Sequence, residues 1–169
     1  PIKSIGHGAT TAKDMESDEE VWRTILDLTQ EIGYKLKKNH LAARGIQINV
    51  RDKNLFGCQY QMKLEYMTQS TLFLAQAAKL LFFKKHRFTT PLRSITVRAI
   101  DLVPEDTPQQ LNLFAGYDKQ DDIIRLESAV DRVRERFGNK IVVPASLMEK
   151  SCRPTLSTDF PKMPAPMYH

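Results

Sequence analysis

The chain has 169 residues, 41% of them hydrophobic and 27% charged, enough for one core of ordinary size with an appendage. Its net charge of +5 is uneven: residues 1–103 hold 16 Lys and Arg against 10 Asp and Glu, while residues 104–169 hold 9 against 10. No run of about 18 apolar residues occurs, which argues against a membrane partner, and the basic first part points to a polyanionic one.

The N-terminus, Pro1-Ile2-Lys3-Ser4, has no signal-peptide pattern and no initiator methionine, and it reads directly as a strand. The expectation is a segment of a longer protein. Cys58 and Cys152 suit neither a metal site nor a disulfide framework, so a reducing, cytoplasmic location is expected. Residues 3–12 form an extended segment containing Gly6 and Gly8. Ser17 followed by Glu20 is a capping-box pattern, and Trp22, Ile25, Leu28, Ile32 and Leu36 then recur at helical spacing. With Lys35, Lys37 and Lys38 in the last turn, the spacing predicts a helix over 18–39.

Two strands follow. Ile46, Ile48 and Val50 alternate with Gln47, Asn49 and Arg51; Tyr60, Met62, Leu64 and Tyr66 alternate with Gln59, Gln61, Lys63 and Glu65. The turn-rich connector 52–57 predicts an antiparallel hairpin. A second helix is predicted over 69–85, with Leu72, Ala75, Ala78, Leu81 and Phe82 on one side. A last strand over 92–102 sets Ile95, Val97 and Ala99 against Ser94, Thr96 and Arg98.

The order β-α-β-β-α-β over residues 1–103 predicts an α+β, ferredoxin-like fold: a four-stranded antiparallel sheet with two helices on one face. In such a sheet the last strand is expected at an edge with the first beside it. The open face would carry Lys3 or Ser4, Gln47, Asn49, Arg51, Lys63 and Arg98. It is polar and basic with few aromatic rings, unlike an RNA-recognition sheet with its stacking platforms, and it suits phosphate backbones.

Residues 104–118 read as a linker, Pro104-Glu105-Asp106-Thr107-Pro108 leading into Gln110-Leu111-Asn112-Leu113-Phe114. Asp121 and Asp122 then open a C-terminal amphipathic helix, within residues 119–145, whose apolar stripe is Ile123, Leu126, Val130, Val133 and Phe137 and whose stop is Gly138. Five of the nine prolines lie from Pro144 onward, so residues 146–169 are expected to form an irregular, extended tail.

No phosphate loop, His-x-x-x-His pair or nucleophile motif is present, so no catalytic or metal-ligating residue is assigned and no cofactor is expected in this segment. His7, His40, His86 and His169 lie far apart in sequence, and the acids from Asp14 to Glu20 fit a helix N-terminus. Two features remain. Lys3-Ser4-Ile5-Gly6-His7-Gly8 and Arg93-Ser94-Ile95-Thr96-Val97-Arg98 combine glycines with cations. Either the glycines bring backbone N–H groups to a ligand's phosphates, or they bend a strand. Leu111, Leu113 and Phe114 in an acidic linker either fold back onto the core or fill another protein's pocket.

These residues carry a resemblance. Lys3-Ser4-Ile5-Gly6 resembles the opening strand, and Leu92 to Arg98 the closing strand, of the little-finger domain of Y-family translesion DNA polymerases of the DNA polymerase IV type. Gln110 to Phe114 matches the bacterial clamp-binding pentapeptide Gln-Leu-Ser/Asp-Leu-Phe at four of five positions, and Arg134-Glu135-Arg136-Phe137-Gly138-Asn139-Lys140 resembles the tail of several such polymerases. The resemblance covers roughly residues 2–145. It implies a domain that grips primer–template DNA without catalytic residues, through Lys3, Ser4, Gly6, His7, Gly8, Arg51, Lys63, Arg93, Ser94 and Arg98. It also implies a sliding clamp as partner for Gln110, Leu111, Asn112, Leu113 and Phe114. The family's nucleotidyl transfer uses Mg²⁺ held by palm carboxylates, and Ser17-Asp18-Glu19-Glu20 is a helix cap rather than that motif. Two departures are Arg93-Ser94, where many relatives carry paired basic residues, and Asn112 in the middle of the pentapeptide.

Overall fold

The computed structural model describes residues 2–87, 89–108, 118–138 and 141–148. In chain order they form β1 (Ser4–Met15), α1 (Asp18–Lys38), β2 (Leu41–Asp52), β3 (Gly57–Thr68), α2 (Thr71–Lys85), β4 (Leu92–Pro104) and α3 (Asp118–Phe137), followed by a 3-10 turn at Ala145–Leu147. The β-α-β-β-α-β order predicted from periodicity is present, and α3 opens three residues before Asp121.

All four strands pair antiparallel, in the order β1-β4-β2-β3. The first and last strands are neighbours, as expected, but their roles are exchanged: β1 is the edge and β4 lies inside. Composition explains the exchange. Ile95, Val97 and Ala99 of β4 are fully buried, as in a central strand. β1 contributes only Ile5, Ala9 and the terminal Met15 to the core, and its glycines give it little side chain to bury.

The core lies between the sheet and the two helices. Val21, Ile25, Leu28, Ile32 and Leu36 of α1 meet Leu74, Ala78, Leu81 and Phe82 of α2 over Ile46, Ile48 and Val50 of β2. Trp22, expected in the buried stripe, is half-buried, with the Lys79 ammonium 4.6 Å from the centre of its ring. Ser17 and Glu20 form the predicted capping box, and the backbone N–H groups of Glu16 and Ser17, with the Ser17 hydroxyl, hold the Glu20 carboxyl below its ordinary range against the opposing effect of burial.

The C-terminal arm follows its amphipathic pattern in part. α3 docks through charged side chains, and of the expected apolar stripe Ile123 and Val130 are half-buried while Leu126 (65% exposed), Val133 and Phe137 (62% exposed) face outward. Lys37 meets Glu127 and Asp131, and Gln30 meets Arg134, so α3 runs antiparallel beside α1. Within the stretch expected to be irregular, Leu147 is buried and joins the core cluster.

Candidate nucleic-acid interface

Alternation along each strand gives the sheet two unlike faces. The face away from the helices is assembled by register into rows. Gly6, Arg98, Gln47 and Gln61 form one row across all four strands. Gly8, Thr96, Asn49 and Gln59 flank it on one side, and Ser4, Ile100, Gly45 and Lys63 on the other. A fourth row holds Thr10, Ser94, Arg51 and Gly57. Gln47, Asn49, Arg51, Lys63 and Arg98 thus share the face on which the sequence placed them.

Arg98 donates from Nη1 to Gln47 Oε1 at 3.2 Å, and Gln47 donates from Nε2 to Gln61 Oε1 at 3.4 Å. The guanidinium is held along the surface by this chain of side chains, and Arg98 is exposed. Among the described residues, Arg51, Lys63, Arg93 and Arg98 form no ion pair with a carboxylate. Their charge is uncommitted, although Glu65 shares the face with Lys63.

The glycines of β1 have a use that neither sequence reading anticipated. Pairing runs unbroken from Ser4 to Thr10, so Gly6 and Gly8 do not bulge the strand. Each instead leaves room for its partner on β4. A Cβ on Gly6 would stand 3.2 Å from Cγ of Arg98, and one on Gly8 would collide with the Thr96 hydroxyl. Gly45 on β2 does the same for Ile100, at 2.9 Å from Cγ1. Side chains of the central strand therefore lie low across their neighbours.

Other expected residues sit elsewhere. Lys3 precedes β1 with the parity of Ile5, and His7 lies opposite Val97; both belong to the helix side of the edge strand, so Ser4 is the one that takes the open face. Arg93 has no partner on β1 or β2, because Ser94 pairs with Arg51 and Leu92 with Asp52. It is the extra residue of a β-bulge, a device that re-aims a side chain, and it is exposed.

Sequence reasoning passed over Asp52 and Arg44. Asp52 builds the β2–β3 tip: its Oδ1 accepts from the backbone N–H groups of Asn54 and Phe56 at 2.8 and 2.9 Å, and its Oδ2 from the Thr90 hydroxyl at 3.2 Å. Leu55 is thereby held at φ 69°, and Leu55 and Phe56 are exposed at the tip. The Asp-x-Asn spacing was the available signal. Arg44 lies at the bulge of β2 and shares a recess with Lys63, Glu65 and Asp101.

The described histidines sit in different settings. His40 Nδ1 lies 2.7 Å from Glu105 Oε1, whereas His86 packs on Phe82 and is held below its ordinary pKa by burial, opposed by the charge of Asp52. Among the described residues no cluster of three or more His, Cys, Asp or Glu side chains forms a metal site, and no helix is long and apolar enough to cross a membrane. Gln110, Leu111, Asn112, Leu113 and Phe114 lie outside the described residues.

Comparison with known proteins gives concordant results. Residues 2–113 match the impB/mucB/samB family C-terminal domain. The chain is 37% identical over 138 residues to the DNA polymerase IV of Acetivibrio thermocellus, covering 82% of this chain and 35% of that protein. It is 30% identical over 145 residues to DNA polymerase IV 2 of Halalkalibacterium halodurans, covering 83% and 34%. The chain therefore spans about a third of the length of these relatives. Among solved structures, a complex of beta-clamp processivity factor and the little finger domain of PolIV contains a chain of the same fold. The TM-score is 0.50 at 18% identity, covering 66% of this chain and 98% of that one.

Proposed function

This chain belongs to the impB/mucB/samB C-terminal domain family, and on that premise we propose that it grips primer–template DNA for a translesion DNA polymerase and recruits that polymerase to the bacterial sliding clamp. The observation that carries the DNA reading is the row Gly6, Arg98, Gln47 and Gln61. A basic, polar, low-relief surface with uncommitted guanidinium groups fits phosphate oxygens. Arg98 is already oriented, so little of its side-chain freedom is lost on contact. Arg51, Ser94 and the bulged Arg93 extend the same surface toward one end of the sheet, and Ser4 and Lys63 toward the other. Phosphate contacts carry no base information, which suits an enzyme that works on damaged template.

Nucleotidyl transfer, with the Mg²⁺ ions such chemistry employs, is assigned to the rest of the polymerase. The part of this chain is to hold the duplex and to keep the enzyme near it. Gln110 to Phe114 is the tether: Leu111, Leu113 and Phe114 enter an apolar pocket of the clamp and Gln110 orients them through its amide. Two modest contacts on one chain reinforce each other through effective concentration.

The test is DNA binding by anisotropy across a salt series, beside calorimetric titration with the clamp. With roughly four to six phosphate contacts, log K falls with log salt at a slope of about −4 to −5, whatever the duplex sequence. A slope near zero would leave only a module that displays the pentapeptide. Leu113→Ala with Phe114→Ala is expected to cost at least about 3 kcal/mol, or roughly a hundredfold, in clamp affinity. Equal affinity of the double variant and the parent would remove the recruitment half of the proposal.

A further inference from the structure

The turn that joins β2 to β3 is fixed by hydrogen bonds throughout. Besides the two amides held by Asp52 Oδ1, the Asp52 N–H donates to the Phe56 carbonyl, the Leu55 N–H to the Asp52 carbonyl and the Lys53 N–H to the Pro91 carbonyl, each at 3.0 Å. With the Thr90 hydroxyl on Asp52 Oδ2, the turn is tied both to itself and to the segment that enters β4. This scaffold holds two large apolar side chains in water: Leu55 is 63% exposed and Phe56 75% exposed. It also holds Leu55 at a positive φ that a bulky side chain seldom adopts. Burial in this domain explains neither the two side chains nor the bonding that presents them.

The surroundings of the tip say what it suits. It stands just beyond the last row of the open face, Thr10, Ser94, Arg51 and Gly57. Its cations are Arg51, Lys53 and the bulged Arg93, all exposed, and among the described residues none of them forms an ion pair with a carboxylate. Asp52, the acid of the turn, has both oxygens occupied by the hydrogen bonds above. Gly57 adds an opening. Apart from its neighbours in sequence, a Cβ there would meet only the Val50 carbonyl oxygen, at 3.8 Å. Unlike the space at Gly6, Gly8 and Gly45, this space is not taken by a side chain from the next strand, and it adjoins Phe56.

Resting on the DNA-gripping reading above, we propose that the tip is a second DNA site: Phe56 stacks on an unpaired nucleobase of the single strand that continues beyond the gripped duplex, while Arg51, Lys53 and Arg93 hold its flanking phosphates. An unpaired nucleotide offers an aromatic face beside a charged phosphate, and the tip offers an exposed ring beside uncommitted cations. A paired base keeps its faces within the stack, so the ring selects single strand. Every base has such a face, so the contact carries little sequence preference, as the open face does. Because the turn is already fixed, stacking orders little more than one side chain. A protein partner fits less well. Leu55 and Phe56 alone supply far less than the roughly 1,000 Å² of a stable protein interface, and the centre of such an interface is depleted in charge.

The test is anisotropy with the full chain on a blunt duplex, the same duplex with a single-stranded thymidine overhang, and a third whose overhang is abasic. The thymidine overhang is expected to bind roughly tenfold tighter than the blunt duplex, and the abasic overhang to lose most of that gain while keeping its phosphates. Phe56→Ala should abolish the difference between thymidine and abasic overhangs, with blunt-duplex affinity and thermal unfolding unchanged. Phe56→Trp should restore the difference, and its fluorescence, over the steady signal of Trp22, should be quenched by the thymidine overhang and not by the abasic one. Equal binding of the two overhangs by the parent chain would overturn the stacking and leave gripping of the duplex standing. A full base-dependent gain in Phe56→Ala would overturn it too, and if that variant loses clamp affinity instead, the tip serves a protein surface. If the blunt duplex itself does not bind, it is the gripping reading that has failed, and the site at the tip goes with it.

Discussion

The two faces of the sheet treat charge in opposite ways. On the open face Arg51 and Arg98 stand among neutral polar side chains and Lys63 stands near Glu65, yet none of the three forms an ion pair among the described residues. On the helix side Lys37, Glu127, Asp131 and Arg134 are half-hidden and bound to one another or to backbone. The lesson is that net charge does not locate a binding surface. What locates it is charge left over after the fold has satisfied its own donors and acceptors. By that criterion Lys37 at the end of α1 belongs to architecture, and the arginines of β2 and β4 belong to a partner.

That contrast can be broken experimentally. The largest effect is expected from Glu127→Ala. It strands Lys37 and the donors of Ser70, Thr71 and Leu72, and should weaken docking of α3 by about 2 kcal/mol. Hydrogen exchange would show α3 amides losing protection while those of β2 and β4 keep theirs; unchanged α3 protection would mean the carboxylate is incidental.

Acid should act on the same side. Burial raises the Glu127 carboxyl, but hydrogen bonds from Thr71, Leu72 and Ser70 and the Lys37 charge outweigh it, and its folded pKa lies below the ordinary value. The stabilisation is therefore present above the unfolded pKa and lost as pH falls through the folded one. Acidification below the ordinary glutamate range should therefore undock the arm, followed by exchange or circular dichroism. Undocking that begins near neutrality would point to a different group.

The smallest effect on folding is expected from Arg98→Ala. Thermal unfolding should move within about 0.5 kcal/mol, while the salt slope of DNA binding flattens by about one. A variant that unfolds would reclassify Arg98 as architecture and dissolve the contrast.

The sequence disclosed more of the fold than of the arm, for physical reasons. Alternation in β2 and β4 and the 3.6-residue spacing in α1 are driven by burial, so they predicted the elements and the open face. Strand order depends on which apolar strand the helices cover, a non-local fact, and β4 was expected at the edge it does not occupy. The stripe of α3 told only part of its docking, because Glu127 and Arg134 also carry it, and their partners lie 56 and 104 residues away. Parity separated Ser4 from Lys3 and His7 only once register was fixed. Arg93 could not be placed by alternation, because a bulge suspends alternation. The pentapeptide was legible by resemblance alone.

Gly8 and Thr96 occupy what amounts to a single parcel of space, as do Gly45 and Ile100. Such pairs are expected to exchange volume through descent rather than vary alone. A lineage that gains a side chain at position 8 must shed one at position 96, and the intermediate carrying both is strained. The glycines thus record the size of their neighbours, and covariation across the β1–β4 seam should be stronger than across strands where both partners bear side chains. A survey of the family would read the flatness of this surface directly from paired substitutions.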